Sequence, residues 1–327
     1  MKVCIYGAGA IGGWLGVRLA QAGCTLDVVA RGATLETLRR DGLTLVSGET
    51  RVPVPVHASD DPRTLGVQQL VVVAVKAPAL PSVAEQIAPL LGPDTIVLTA
   101  MNGVPWWFLQ GGFGGSLAGT RLQAVDPGGR IDAAIPGRHV IGGVVHASCS
   151  VDAPGVVRHH FGNGLIIGEP SGEATPRAKH LCELLVRAGI DAKLSPQIQK
   201  DVWYKLWGNM TVNPISMLTG ATTDLILGDD LVRGLISTIM LEAREIGARI
   251  GVPIAESPED RHAVTRKLGA FKTSMLQDVE AGRAIELDAI VGAAAEIGRR
   301  VGVATPNIDA ILGLARLFGR VHGMYPE

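Results

Sequence analysis

The sequence KVCIYGAGAIGGWLGVRLAQAG, residues 2–23, opens on a short apolar run, turns on glycines and continues with helical periodicity. A second apolar run, Thr25 to Ala30, follows and stops at Arg31-Gly32. Strand, glycine turn, helix and strand in this spacing form a dinucleotide-binding unit. Gly7 suits the tight turn, Gly9 lets the backbone approach a pyrophosphate, and Gly12 lets the helix lie close to the strand. Together with Ala8, Ala10 and Ile11 they make the expected cofactor-binding turn. The helix N-terminus adds unpaired N–H groups and a partial positive charge. Where an NAD-selective unit carries an acid for the ribose 2′-hydroxyl, this chain has Arg31, and a guanidinium grips a 2′-phosphate through two parallel hydrogen bonds. The expected cofactor is therefore NADP(H). Two other readings stay open. Flavin and S-adenosylmethionine units share this turn but prefer an acid near the end of the second strand; Asp27 is close, yet lies inside that strand. Arg31 taken alone also fits a solvated surface charge.

At 327 residues the chain suits two domains. Apolar residues make up 47% and aromatics only 4%, so the cores must be aliphatic. A net charge of −1 lacks the basic excess expected of a nucleic-acid partner. There is no apolar run long enough to predict a membrane span, and the N-terminal strand does not read as a signal peptide. Cys4, Cys24, Cys149 and Cys182 are scattered, form no CxxC pair and read as reduced residues of a cytoplasmic protein, without a metal. The adjacent His159 and His160 read as a surface turn for the same reason: no acid or cysteine is suitably spaced to complete a metal site.

The first half alternates strands and helices. Leu70 to Val75 is a continuous run of the kind buried on both faces of a parallel sheet. A helix is expected from about Ala79 to Leu91, and strands over Thr95–Thr99, His139–Ala147, Gly164–Gly168 and Asp191–Leu194, with a helix over Pro176–Ala188. From Ser195 the apolar spacing becomes three and four, and helices are expected over Leu231–Ile250, Asp260–Asp278, Asp288–Val301 and Asn307–Phe318. The fold class is therefore α/β, with an N-terminal Rossmann-type dinucleotide-binding domain at residues 1–194 and an all-helical domain at 195–327. Such a pair is expected to leave a ligand-binding cleft at the carboxyl ends of the strands. Residues 104–137 fit neither domain pattern. They hold Trp106-Trp107-Phe108 and two glycine clusters, and read either as a binding loop bordering the substrate or as a surface excursion.

The chemistry is expected on KDVWYKLWGNMTVNPISML, residues 200–218. Lys205, Asn209 and Asn213 recur every fourth residue and so share one stripe of an α-helix. Their neighbours Trp203, Leu206, Trp207, Met210 and Val212 are apolar, and Pro214 is expected to loosen the helix beside them. Hydride delivery to a ketone leaves charge on oxygen, which a lysine of lowered pKa answers as general acid. An ordinary solvated polar face has the same spacing, and the stripe alone does not separate the two.

Several separated motifs in order resemble the ketopantoate reductase (2-dehydropantoate 2-reductase) family. They are GAGAIG at residues 7–12, Arg31, VVVAVKA with Lys76, MNGV with Asn102, the K-x-x-x-N-x-x-x-N-P run from Lys205 to Pro214, SMLQD with Ser274, and AIELD with Glu286. The resemblance implies NADPH-dependent reduction of a small 2-oxo acid, 2-dehydropantoate to pantoate or, as the alternative, a related branched 2-oxo acid. It implies Lys205 as general acid and Glu286 as the catalytic partner that binds the substrate hydroxyl and orients the lysine. Asn209, Asn213, Ser274 and Asn102 match substrate-binding positions. Lys76 and Asn102 match positions at the nicotinamide end of the cofactor. It also admits a homodimer. A 3-hydroxyacid dehydrogenase shares the lysine–asparagine pair but carries a glycine-rich run before the lysine, where this chain has Gln199 to Tyr204. A non-catalytic nucleotide sensor of this fold would have lost Lys205, Asn209 and Glu286.

Overall fold

The computed structural model describes residues 1–326. The chain forms two compact units, one of Met1–Met101 with Arg130–Ile198, the other of Asn102–Gly129 with the chain from Gln199 onward. The second unit thus includes Asn102–Gly129, a segment that the sequence pattern leaves within the first 194 residues.

The first unit is built on one sheet. Its strands are β1 (Lys2–Tyr6), β2 (Thr25–Val29), β3 (Leu43–Ser47), β4 (Thr50–Val54), β5 (His57–Ser59), β6 (Leu70–Val73), β7 (Ile96–Thr99), β8 (Val140–Ala153), β9 (Val156–Gly168) and β10 (Asp191–Leu194). They lie in the order β4-β3-β9-β8-β7-β6-β1-β2-β5, with β10 also paired to β9. From β8 to β5 every neighbouring pair is parallel. β6 lies between β1 and β7 with all four residues buried, which is why it reads as an unbroken valine run. That strand ends at Val73; the backbone leaves the sheet two residues earlier than the apolar pattern, which runs on to Val75.

The helices of this unit are α1 (Ala10–Gln21), α2 (Gly32–Asp41), α3 (Leu80–Gln86), α4 (Arg130–Ala134) and α5 (Pro176–Arg187). Thr175 caps α5 by accepting from the Ala178 N–H, with Pro176 in the first turn. The long β8–β9 hairpin extends well past the strands expected at 139–147 and 164–168. Apart from the buried Val157, its outer half carries exposed and half-buried residues such as Asp152 and Arg158, so no continuous buried face marks it in the sequence. His159 and His160 belong to β9, not to a turn, and the His159 ring stacks on Trp14 with centroids 6.2 Å apart.

The second unit is helical: α6 (Ile198–Thr219), α7 (Thr223–Gly228), α8 (Asp230–Ile250), α9 (Pro258–Arg266), α10 (Ser274–Glu280), α11 (Ala293–Arg300) and α12 (Pro306–Val321). The helix expected over 260–278 is two, because the chain breaks at Gly269 (φ +63°) and restarts at the Thr273 cap, whose hydroxyl accepts from the Leu276 N–H. A π-helical turn, Asp288–Gly292, leads into α11. α6 is the core of the unit. Trp203 and Trp207 are buried and donate their indole N–H groups to the Ala243 and Met240 carbonyls of α8, at 3.2 and 2.7 Å. Gly247 of α8 makes room for the first of these, since a Cβ there would come 2.5 Å from Trp203 Nε1. The helix continues through Pro214 to Thr219; the proline removes one N–H without ending it.

Residues 104–109 are core to this unit and not a surface loop. Trp106, Trp107, Phe108 and Leu109 are at most 2% exposed. Phe108 stacks on Trp203 at 6.0 Å and meets Phe113 edge-on at 5.3 Å. Further along, Glu296 of α11 accepts from the backbone N–H groups of Gln123 and Ala124. The aromatic cluster that suggests a substrate contact therefore packs against the protein's own helix, α6.

Candidate active site

The glycine turn has the geometry of an anion cradle. Gly7 adopts φ +98°, where only glycine is unstrained. A Cβ at Gly12 would stand 2.0 Å from the Gly7 carbonyl oxygen, so α1 can approach β1 only with hydrogen there. Gly9 is different: it is exposed, and nothing lies within 4 Å of where its Cβ would be. It is the N-cap of α1, has no side-chain cap, and is followed by a first turn without acids. The donors of that turn therefore face open space, which suits a pyrophosphate. Ala8, Ala10 and Ile11 complete the turn. Arg31 is exposed beyond the end of β2, at the N-cap of α2, and its Nη2 donates to Ser82 Oγ of α3 at 3.0 Å. Asp27, the acid that an alternative nucleotide would use, is buried and occupied: it accepts from Gln68 at 2.8 Å and lies 3.3 Å from His57 Nδ1. Lys76 is half-buried and caps the 3-10 turn Ala77–Ala79 that follows β6.

The polar stripe of α6 is equally definite. Lys205 Nζ donates to Asn102 Oδ1 at 2.9 Å, joining two residues 103 positions apart in the sequence. Burial brings the Lys205 pKa down to about 8; the Glu286 carboxylate opposes that shift and the Arg261 guanidinium adds to it. Glu286 is 4% exposed and Asn213 6%, with Asn209 half-buried between Lys205 and Asn213 on the same stripe. Glu286 precedes the π-helical turn, and its own carbonyl accepts from the Ile290 N–H. Gly103, next to Asn102, has φ +81° and would meet the Ala289 backbone at 2.6 Å with any side chain, which fixes the approach of this segment to the turn after Glu286. Ser274 is the first residue of α10, half-buried behind the Thr273 cap.

The structure thus joins Asn102, Lys205 and Glu286 in one cluster and places Asn209 and Asn213 along the same helix. Two residues absent from the sequence reading also stand here, Ser82 beside Arg31 and Arg261 beside Tyr204. Neither has a local signal: a serine within a short helix and an arginine in a charged helical turn look like surface residues.

Two family models match the chain, ketopantoate reductase PanE/ApbA over residues 3–106 and ketopantoate reductase PanE/ApbA C terminal over residues 197–318. A 2-dehydropantoate 2-reductase from Mesorhizobium japonicum is 48% identical over 99% of this chain and 100% of its own. The chain belongs to the ketopantoate reductase family. Among solved structures, one from Ralstonia solanacearum MolK2 named for ketopantoate reductase is 55% identical, with a TM-score of 0.95 over 99% of both chains. A 2-dehydropantoate 2-reductase from Methylococcus capsulatus is 28% identical, with a TM-score of 0.83 over 98% of both. Family members therefore match both halves of the chain, and the glycine turn and the α6 stripe lie within the matched segments.

Proposed function

We propose that this chain reduces 2-dehydropantoate to pantoate with NADPH. The observation that carries the reading is the Lys205–Asn102–Glu286 cluster: a lysine whose proton is held loosely, next to a buried carboxylate, on the polar stripe of an otherwise apolar helix. Gly7, Gly9 and Gly12, with Ala8, Ala10 and Ile11, would hold the pyrophosphate, and Arg31 the ribose 2′-phosphate; Lys76 and Asn102 are assigned to the nicotinamide end. When bound, the reduced nicotinamide supplies hydride to the substrate carbonyl carbon.

Everything else falls to the protein. As the carbonyl oxygen gains charge, Lys205 donates the proton that makes it a hydroxyl. Desolvation makes that proton easier to give, while Glu286 keeps enough negative charge nearby for Lys205 to start protonated at neutral pH. Asn102 takes one ammonium hydrogen and so aims the rest. Glu286 also accepts from the substrate hydroxyl, and Asn209, Asn213 and Ser274 hydrogen-bond its remaining polar groups. No helix among the described residues is long and apolar enough to cross a membrane.

The test is NADPH oxidation followed at 340 nm with 2-dehydropantoate and a panel of other branched and straight 2-oxo acids. The expected result is turnover, best with 2-dehydropantoate and with NADPH over NADH. Absence of turnover with every acid would defeat the reading, and a better acid in the panel would replace the substrate while leaving the chemistry.

A further inference from the structure

Arg261 occupies a place that a surface arginine does not. It lies in the first turn of α9, which Ser257 and Asp260 fix through a reciprocal cap: each side chain accepts from the other residue's backbone N–H, at 3.2 and 2.9 Å. From there the side chain reaches α6. Its guanidinium carbon stands over the face of the Tyr204 ring, 5.2 Å from its centre. It also lies flat on Gly208, where a Cβ would come 2.5 Å from Nη2 and 2.7 Å from Nε. Tyr204 and Gly208 are one helical turn apart, on the stripe next to Lys205 and Asn209.

This position is costly unless something answers the charge. Arg261 Nε is buried with no hydrogen-bond partner. Among the described residues no carboxylate is paired with the guanidinium, and Glu256 acts on it only at longer range. The side chain is nevertheless not sealed, being half-buried. Its charge reaches Lys205 strongly enough to help hold that ammonium's pKa down. The neighbourhood therefore holds two cations, Lys205 and Arg261, answered by the buried Glu286 and, at longer range, by Glu256, with no carboxylate paired directly to the guanidinium.

We propose that Arg261 is a specificity-determining residue that binds the carboxylate of the 2-oxo acid, with Tyr204 and Gly208 as its platform. In a 2-oxo acid the carboxylate is bonded directly to the ketone carbon, so its receptor must neighbour the proton donor, as Arg261 neighbours Lys205. Gly208 lets the guanidinium lie against α6, and Tyr204 holds its plane, which leaves a donor edge for an anion. The substrate carboxylate supplies the direct ion-pair partner that the guanidinium lacks among the described residues. The inference rests on the reading of the chain as a 2-oxo acid reductase.

The experiment compares 2-dehydropantoate with its neutral methyl ester in wild type, Arg261→Gln and Arg261→Lys, with NADPH affinity measured separately by fluorescence titration. Wild type should prefer the acid. Arg261→Gln should lose roughly 10- to 100-fold in kcat/KM on the acid, mostly in KM, the size expected for one charge-assisted hydrogen-bond pair. On the ester it should stay within about twofold of wild type, with NADPH affinity unchanged. Arg261→Lys, which keeps the charge but not the fork, should fall between the two on the acid alone. It reads the same selectivity if the glutamine variant fails to fold. An equal loss on acid and ester, or no loss on either, overturns the assignment. Failure of wild type to turn over the acid would instead count against the reductase reading itself.

Discussion

The turn of Gly7, Gly9 and Gly12 and the α6 face of Lys205 and Asn209, with Arg261 of α9 laid against it, are both arranged to receive an anion, and they do it by opposite means. The turn works by leaving side chains out: one glycine for a positive φ, one for close packing, one for open space. The α6 face works by crowding long polar side chains into an apolar unit and accepting the cost. One site is preorganised by backbone, the other by partners drawn from distant parts of the chain, Asn102, Arg261 and Glu286. The difference teaches where each is fragile. A methyl group should damage the turn, while loss of one charge should damage the face.

The largest expected effect tests the face. Lys205→Ala should lower kcat by roughly 10²–10⁴-fold, the range for removing a general acid, and leave NADPH affinity within about twofold. Equal damage to NADPH binding would move the lysine from chemistry to cofactor holding. The pH profile sharpens the same point. Lys205 must be protonated to act, and its pKa lies at about 8. Reduction should therefore hold level below that pH and fall as pH rises through it, with a limb that Lys205→Ala removes. A profile flat to pH 10 would contradict the assignment.

The contrast between the regions also explains what the sequence made legible. The glycine turn is local, so strand, turn and helix appear in consecutive residues and Arg31 at a fixed distance. The Lys205–Asn209–Asn213 stripe is local too, because a helix repeats. Arg261 is not: its partners are Tyr204 and Gly208, more than fifty residues earlier, and only folding brings the three together. The same reason misplaced Trp106 to Phe108. Aromatics in a glycine-rich stretch read as a contact loop until Trp203 is seen stacked on Phe108. The outer half of the β8–β9 hairpin was illegible for a different cause: with little of it buried, its strands carry no alternating pattern.

Next in size is Gly12→Ala. The new methyl would collide with the Gly7 carbonyl at 2.0 Å, a backbone atom that cannot swing away. A loss of about 1–3 kcal/mol or more in stability is expected, as for overpacking, read by denaturant unfolding. An unchanged midpoint would show that the turn and α1 can part without cost. Arg31→Ala should act on the cofactor alone. The ratio of kcat/KM for NADPH over NADH should fall roughly 10- to 100-fold, the worth of charge-assisted hydrogen bonds to phosphate, with stability unchanged. If the ratio holds, the Arg31–Ser82 contact is only a surface bond.

Gly9→Ala should have the smallest effect on the fold and is the sharpest test of the comparison. Gly9 has φ −76°, which alanine adopts without strain, and its Cβ would meet nothing within 4 Å. Stability should change by no more than about 0.5 kcal/mol, as for an unconstrained surface site. The methyl would instead occupy the space over the α1 N-terminus, where the pyrophosphate must reach the backbone. NADPH affinity should therefore fall while the unfolding midpoint stays. Two glycines of one turn would then separate cleanly, Gly12 by its effect on the protein and Gly9 by its effect on the ligand. If Gly9→Ala binds NADPH as well as wild type does, the open space at Gly9 is not where the phosphates lie, and the cradle must be sought elsewhere on the turn.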